Sequence, residues 1–294
     1  MTALPIALVP VVSARRAPST ARNIATVARR ELRDAVRTRW FWLYTLAFAS
    51  LGLAVSFVSA AGAGGAGLSG FGRTTAGLTN LVLLVVPLMA LTAGASSIAS
   101  DRERGMLAYI LAQPITRTEL LLGKYVGLGG ALFGCIALGI GACSIIMAWM
   151  GAPSSPVAML WMSGLALLLA LAMLSLGFLI SVLARRSSVA VGTAIFVWLT
   201  LAFGTDLALM GGAIALRLRV QSLLALSLVN PLQVFKLWSL HAIEASLDVL
   251  GPAGLYATEE YGRGLHLIFG ACMGAWIAAP LVLAALLFSR RSPL

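Results

Sequence analysis

Charged side chains are scarce in this sequence: only 11% of its 294 residues are Asp, Glu, Lys or Arg, whereas 60% are hydrophobic. Soluble domains are about a quarter charged and about half apolar, so this composition excludes an ordinary soluble domain. Lipid must therefore be the solvent for most of the chain. No polar stretch is long enough to form a soluble domain of useful size.

Cysteine and histidine are also rare, with three and two residues respectively. Cys135, Cys143 and Cys272 lie inside apolar runs and form no close Cys-x-x-Cys pair, which argues against a disulfide framework or a structural zinc site. Cys143 and Met147 share a helix face, and soft sulfur ligands suit Cu(I). Because Met and free Cys are ordinary packing residues in apolar cores, we predict no metal site and no cofactor in this chain.

Convincing nucleotide-binding motifs are lacking. Gly62, Gly64 and Gly67 match G-x-G-x-x-G but follow an apolar run rather than a strand of a βαβ unit. Gly123-Lys124 lacks the upstream glycine of a phosphate loop. The chain is therefore not expected to be an enzyme or to bind ATP, and energy for any transport must come from a partner or an ion gradient.

Acidic residues are almost missing from the apolar runs, and Asp206 is the single one inside them. Such a group can line a pathway across the membrane or lie hydrated at the level of the headgroups. Both interpretations of Asp206 stay open. A proton-coupled transporter would normally carry more ionisable residues at membrane depth, so their scarcity argues against that class.

Long apolar runs are what the sequence has in abundance. A spanning helix needs about 20 mostly apolar residues, and the chain offers six such runs, near 40–61, 78–98, 124–150, 157–183, 188–210 and 265–288. The predicted fold is all-α, a single polytopic membrane domain with six transmembrane helices. We divide it into a cytoplasmic tail and amphipathic elbow helix at 1–39, the six-span bundle at 40–288 and a cytoplasmic tail at 289–294.

The distribution of basic residues between the runs predicts the orientation. The first and third connections hold only Arg73, whereas the flanks that should be cytoplasmic hold Arg29, Arg30, Arg33, Arg37, Arg39, Arg102, Arg104, Arg117, Lys124, Arg185, Arg186, Arg290 and Arg291. Basic residues accumulate on the cytoplasmic side of short loops. Both termini are therefore predicted to be cytoplasmic, in a multi-pass protein of the bacterial inner membrane.

The segment from Ile24 to Trp40 has apolar residues at helical spacing and arginines on the opposite side. This pattern is typical of a basic amphipathic helix on the cytoplasmic membrane surface. It can serve as a topology anchor, as an elbow helix that also touches a cytoplasmic partner, or as both.

The second cytoplasmic connection is long and rich in charges of both signs. Pro114 ends one short helix, and Thr116 to Glu119 has the spacing of a capping box that opens the next. Such a rigid projection could dock on a soluble ATPase and transmit its movement, although a solvated surface loop is the alternative. The candidate coupling residues are Asp101, Arg102, Glu103, Arg104, Gly105, Pro114 and Arg117. The four charged residues from Asp101 to Arg104 are expected to lie in water.

The stretch between the fifth and sixth runs is too interrupted to span a membrane. Asn230 is placed to cap, and Pro231 to start, a helix through Phe235, Trp238 and Ala242, before Gly251-Pro252 breaks the chain. We predict one or two amphipathic helices on the outer surface that form a lid or a periplasmic partner site, with a simple outer loop as the alternative. The candidate residues are Asn230, Pro231, Phe235 and Trp238. We expect the apolar residues Leu232, Phe235 and Trp238 to bury against the spans or the partner rather than to face water.

Together these features resemble the type-two ABC exporter permeases. The resemblance rests on the basic elbow helix at 28–40, the stretch Asp101-Arg102-Glu103-Arg104-Gly105, Pro114 and the pair Gly123-Lys124. It covers the chain from about residue 22, with Met106 where the family often has Thr. It implies a homodimer of this chain with two separate cytoplasmic ATPase subunits, which would bind the ATP and Mg.

Within that family, residues 230–237 and 250–254 resemble the permeases of transporters that mature the copper centres of periplasmic nitrous oxide reductase. This narrower resemblance implies a periplasmic maturation partner and movement of a sulfur or copper species. Export of a drug, lipid or peptide is the alternative inside the family. An ion-coupled secondary transporter or a channel is the alternative outside it.

Overall fold

The structure is a computed structural model that describes residues 19–61, 67–149, 156–214, 220–242 and 264–290. Every regular element in these ranges is helical, which confirms the all-α prediction. In chain order the helices are α1 Thr20–Arg37, α2 Arg39–Ala61, α3 Gly67–Glu103, α4 Met106–Leu111, α5 Arg117–Trp149, α6 Pro156–Leu183, α7 Ser187–Leu199, a π-helix Thr200–Gly204, α8 Thr205–Ile214, α9 Val220–Val229, α10 Pro231–Ala242 and α11 Leu265–Arg290.

Five of the described helical stretches are long and apolar enough to cross a membrane: Ala76–Glu103, Arg117–Ile146, Pro156–Leu183, Ser187–Ala208 and Leu265–Arg290. The remaining predicted span corresponds to α2, whose described apolar stretch, Phe41–Val55, is shorter. A polytopic membrane protein is therefore confirmed, whereas the count of six spans stays a prediction. The predicted turn between the third and fourth runs, 151–156, lies almost wholly outside the described residues.

The most extensive packing in the bundle is between α3 and α6. Gly94 and Gly177 allow it, because a β-carbon on either residue would press against the backbone of the opposite helix. Ser181 on α6 adds a polar contact: its Oγ accepts hydrogen bonds from the backbone N–H groups of Ile98 and Ala99, both at 2.9 Å. Buried apolar side chains of α3 and α6 form the centre of the core.

Arg102, Arg117, Lys124, Arg186 and Arg290 lie at one end of the bundle, which we call the basic end. Arg102 of α3 donates to the carbonyl oxygen of Ala184 after α6, and Arg117 of α5 donates to that of Phe288 near the end of α11, at 3.1 Å. The Asn23 side chain of α1 reaches the carbonyl oxygen of Pro114 at 3.4 Å. The helix α1 and the last turn of α11 therefore lie at the same end of the molecule.

Candidate coupling site

The coupling segment, residues 101–118, begins inside a helix rather than in a loop. Helix α3 ends at Glu103, and a turn at Arg104 and Gly105 follows, in which Gly105 has a φ of 71° in the left-handed region that favours glycine. Helix α4 follows at once, held to the bundle by the buried side chains of Leu107 and Ile110. The short helix that was predicted before Pro114 is thus present.

The start of α5 is the predicted capping box. The Thr116 N–H donates to Glu119 Oε2 at 2.9 Å, and the Glu119 N–H donates to Thr116 Oγ1 at 3.2 Å. These two bonds satisfy backbone donors that a helix start otherwise leaves open. Asn23 of α1 also donates to Glu119 Oε2, at 3.1 Å, so the cap of α5 is tied directly to α1.

Lys124 is the centre of a buried ion-pair cluster. Its side chain is only 6% exposed, and its Nζ lies 2.8 Å from Asp101 Oδ2 of α3 and 3.2 Å from both carboxylate oxygens of Glu31 of α1. A buried ammonium requires such partners, because an unpaired charge in an apolar interior is costly. The cluster fixes α1, α3 and α5 relative to one another.

The expectation that the four charged residues from Asp101 to Arg104 lie in water is therefore wrong for Asp101 and Arg102. Asp101 is 18% exposed and pairs with Lys124, and half-buried Arg102 bonds to Ala184. Glu103 is exposed, but its Oε2 accepts a hydrogen bond from the Ser187 N–H at 3.1 Å, at the start of α7. These three residues join the segment to the bundle instead of leaving it free.

The accessible surface of the coupling segment is formed mainly by α4 and its flanks. Arg104 and Gly105 are exposed, Met106 is 38% exposed and Tyr109 is 68% exposed. Pro114 is exposed as well. Exposed Met106 and Tyr109 on a short helix that is anchored by its buried side chains are a suitable contact for another protein, since exposed apolar groups of this kind often mark interaction sites.

The outer segment differs from its predicted placement. Asn230 does cap α10, because its Oδ1 accepts from the Leu232 N–H at 2.9 Å, and Pro231 is the first helical residue. Phe235 is fully buried and Trp238 is only 8% exposed, as predicted for the apolar side chains of this helix. The polar residues Gln233 and Ser239 are buried as well, so an amphipathic helix on the outer surface is wrong for α10, which packs against α6 and α11 within the bundle.

Asn230 also fastens this segment to the fifth apolar run. Its Nδ2 donates to the carbonyl oxygen of Leu201 at 2.6 Å and to Thr205 Oγ1 at 2.7 Å, at the π-helix between α7 and α8. A π-turn widens a helix and is frequent at functional positions. Beside it, Gln233 donates from Nε2 to Asp206 Oδ1 at 2.5 Å, so the exposed Asp206 has a polar neighbour from α10.

The two histidines meet beyond Trp238. The ring centroids of His241 and His266 are 4.7 Å apart, and Trp238 donates from Nε1 to His266 Nδ1 at 3.0 Å. Burial, with the neighbouring His266, lowers the pKa of His241 below its ordinary value. Neither histidine was assigned a contact from the sequence.

Sulfur atoms meet elsewhere in the core. Cys135 Sγ lies 3.7 Å from Met89 Sδ, and Met89 was not singled out from the sequence. Among the residues that the structure describes, no three His, Cys, Asp or Glu side chains cluster as metal ligands would.

A comparison with protein families decides what kind of membrane protein this is. A family profile described as ABC-2 family transporter protein matches residues 25–292. The chain belongs to the ABC-2 transporter family.

Two curated relatives of this ABC-2 chain share the name "Probable ABC transporter permease protein NosY". That of Stutzerimonas stutzeri is 29% identical over 275 residues, covering 92% of this chain and 99% of the relative. That of Pseudomonas aeruginosa is 30% identical over 273 residues, covering 90% and 98%. The family resemblance noted in the sequence is confirmed, and the relatives named are permeases, which are the membrane subunits of ABC transporters.

Two features of the basic end were not predicted from the sequence. Lys124 was used as a topology marker and as part of a family motif, but its partner Glu31 lies 93 residues earlier, so no local pattern reveals the pair. Tyr109 was not singled out. Leu107 and Ile110 are three residues apart and so share one face of α4, which is the buried face. This spacing was the available signal that Met106 and Tyr109, also three apart, lie on a different and exposed face.

Proposed function

We propose that this chain is the transmembrane permease subunit of an ATP-driven transporter whose ATPase is a separate polypeptide. The observation that carries the proposal is the coupling segment, which exposes Arg104, Met106 and Tyr109 while Glu103, Arg102 and Asp101 join it to three other parts of the bundle. A surface fixed in this way can transmit a displacement, because packed helices move as bodies rather than deforming continuously.

In this proposal the basic end faces the cytoplasm, where the ATPase binds ATP and Mg. Three contacts would carry its movement into the bundle. Glu103 leads to the start of α7, Arg117 to the last turn of α11, and Lys124 to α1. A second copy of the chain would complete the transporter, as a homodimer with two ATPase subunits.

We further propose that the transporter supports maturation of the copper centres of nitrous oxide reductase by moving a sulfur or copper species. The support is the likeness over about nine-tenths of the chain to two relatives named NosY. A periplasmic maturation protein would bind on the side opposite the basic end. Because Phe235 and Trp238 are buried, its contact must use the surface around α10 rather than these two side chains.

The test is affinity purification of the full chain from its native membrane together with whatever binds it, followed by inactivation of its gene. We expect an ABC ATPase and a periplasmic protein to co-purify, and nitrous oxide reductase to lose copper in the inactivated strain. If the ATPase co-purifies but the reductase of the inactivated strain is fully metallated, the chain would be the permease of an exporter for a drug, lipid or peptide. Recovery of a stable oligomer without any ATPase would refute the ABC proposal and favour a channel or secondary transporter.

A further inference from the structure

Helix α1 packs closely on α5 at two glycines of α5. This contact fixes the direction in which the other faces of α1 point relative to the bundle. A β-carbon on Gly127 would lie 2.6 Å from the carbonyl oxygen of Ala28, and one on Gly123 would lie 2.6 Å from Val27 Cβ. Backbone contact this close needs both glycines. Since Glu31 pairs with Lys124 on the same side, this face of α1 is fully engaged by the bundle.

A basic ridge, Arg29, Arg33 and Arg37, runs along α1 away from the docked face. The three residues are four apart and therefore lie on one side of the helix, and all are exposed. The adjacent Arg30 pairs with Asp34 at 3.6 Å. Within the described residues no salt bridge is seen for the three arginines of the ridge. Three guanidinium groups thus face outward without an acidic partner from the bundle.

An apolar flank lies beside the basic ridge. Leu32 is 38% exposed and Val36 is 37% exposed. Leu32 reaches toward Gly130, whose β-carbon position is 3.7 Å from Leu32 Cδ1. Gly130 lies six residues further along α5 than Lys124, about 9 Å deeper into the apolar region. The flank is therefore the side of α1 that faces the membrane.

The end of α1 is also held at the membrane boundary. Helix α2, which is apolar, begins at Arg39 directly after Thr38. Trp42 of α2 donates from Nε1 to the carbonyl oxygen of Val36 at 2.9 Å, which fixes the angle between the two helices. The basic ridge consequently lies where phospholipid headgroups begin.

We infer that the basic ridge of α1 binds the headgroups of anionic phospholipids. Guanidinium groups donate paired hydrogen bonds to phosphate oxygens, and a net negative lipid compensates charges that the bundle leaves unpaired. The acyl chains of the same lipid would cover Leu32 and Val36. An acidic protein surface would match the ridge but not this apolar flank. The inference holds whether or not the transporter function proposed above is correct.

The test compares the lipids that remain bound to the purified full-length chain. The variant Arg29→Gln/Arg33→Gln/Arg37→Gln removes the ridge, and the matched control Arg185→Gln/Arg186→Gln/Arg290→Gln removes the same charge from exposed positions at the same end. After mild detergent extraction, mass spectrometry gives the ratio of bound phosphatidylglycerol to phosphatidylethanolamine. A basic residue near an anionic surface favours binding by about fivefold. We therefore expect the ratio of bound phosphatidylglycerol to phosphatidylethanolamine to fall at least about threefold in the ridge variant.

Two further measurements separate charge from folding. The variant Arg29→Lys/Arg33→Lys/Arg37→Lys keeps the charge and should keep most of the enrichment. A wash from about 0.1 M to about 1 M NaCl should remove much of the bound anionic lipid from the wild type, because the Debye length falls from about 10 Å to about 3 Å. If the Gln variant does not fold, these two results decide.

The inference is overturned if the ridge variant keeps the wild-type lipid ratio, or if the control loses as much as the ridge variant. It is also overturned if the lysine variant loses the enrichment completely or the salt wash leaves it unchanged. Loss of a co-purifying protein with an unchanged lipid ratio would assign the ridge to a protein partner instead.

Discussion

Gly94 and Gly177 bring the backbones of α3 and α6 into direct contact. A β-carbon on Gly94 would lie 2.8 Å from the carbonyl oxygen of Leu174, and one on Gly177 would lie 2.7 Å from that of Leu91. Real β-carbons do not approach backbone oxygens so closely, so any other residue must push the helices apart. This crossing sets the geometry around which the rest of the bundle packs.

The first prediction follows from this crossing. Gly94→Ala or Gly177→Ala should lower the free energy of unfolding by about 1–3 kcal/mol, the usual cost of overpacking a core. The melting temperature of the purified protein in detergent measures the effect. Gly134→Ala and Gly141→Ala are matched controls, because a β-carbon at either position meets nothing within 4 Å. Equal melting temperatures for all four variants would contradict the observed packing.

The second prediction concerns the ion-pair cluster at the basic end. Lys124→Met should leave Glu31 and Asp101, which are 20% and 18% exposed, without their shared cation. Breaking a fully buried pair costs about 3–5 kcal/mol, and we expect about 2 kcal/mol here because water reaches the carboxylates. Arg30→Met, which removes the exposed pair with Asp34, is the control and should cost less than about 0.5 kcal/mol. Thermal unfolding measures the stability of both variants. A similar loss of stability in the two would contradict a special role for Lys124.

Local features of the sequence predicted the structure well where neighbours in the chain are the cause. Thr116 and Glu119 cap α5, and Asn230 caps α10, because each bond joins residues no more than three apart. The predicted placement of α10 on the outer surface was wrong because its polar residues suggested a face in contact with water. Gln233 is only 8% exposed and Ser239 is fully buried, so polarity there did not mark a wet face.

The third prediction tests the accessible surface of the coupling segment. Arg104→Glu/Tyr109→Ala should weaken binding of the ATPase at least about tenfold, since aromatic and arginine contacts dominate many interfaces. Reversing Asp101 as well would be uninformative, because that change also breaks the bond to Lys124. Arg290→Glu, an exposed charge at the same end, is the control. Unaltered ATPase affinity in the double variant, with a normal melting temperature, would place the docking surface elsewhere.

The fourth prediction fixes the orientation. Single cysteines at Gly64, Ser154 and Thr258, which lie outside the described residues, should react with an impermeant thiol reagent from the periplasm. A cysteine at Arg186, exposed at the basic end, should react only after the membrane is opened. The unmodified chain is the background control: Cys135 and Cys143 are buried, whereas Cys272 is only partly buried, so any labelling of Cys272 must be subtracted. Periplasmic labelling at Arg186 would invert the proposed topology.

The last prediction distinguishes packing from partner binding at α10. Phe235 is fully buried, so Phe235→Ala should cost about 3–5 kcal/mol and reduce the amount of folded protein in the membrane. Trp238→Phe keeps an aromatic ring beside Phe269 but removes the donor to His266 Nδ1, and it should cost only about 1 kcal/mol. We would measure melting temperature, membrane abundance and binding of the periplasmic protein for both variants. If α10 acts through packing, the variant that loses more folded protein should also lose more binding, so both losses should be larger for Phe235→Ala than for Trp238→Phe. A Phe235→Ala variant with wild-type stability that nevertheless fails to bind would restore the direct contact that the sequence had suggested.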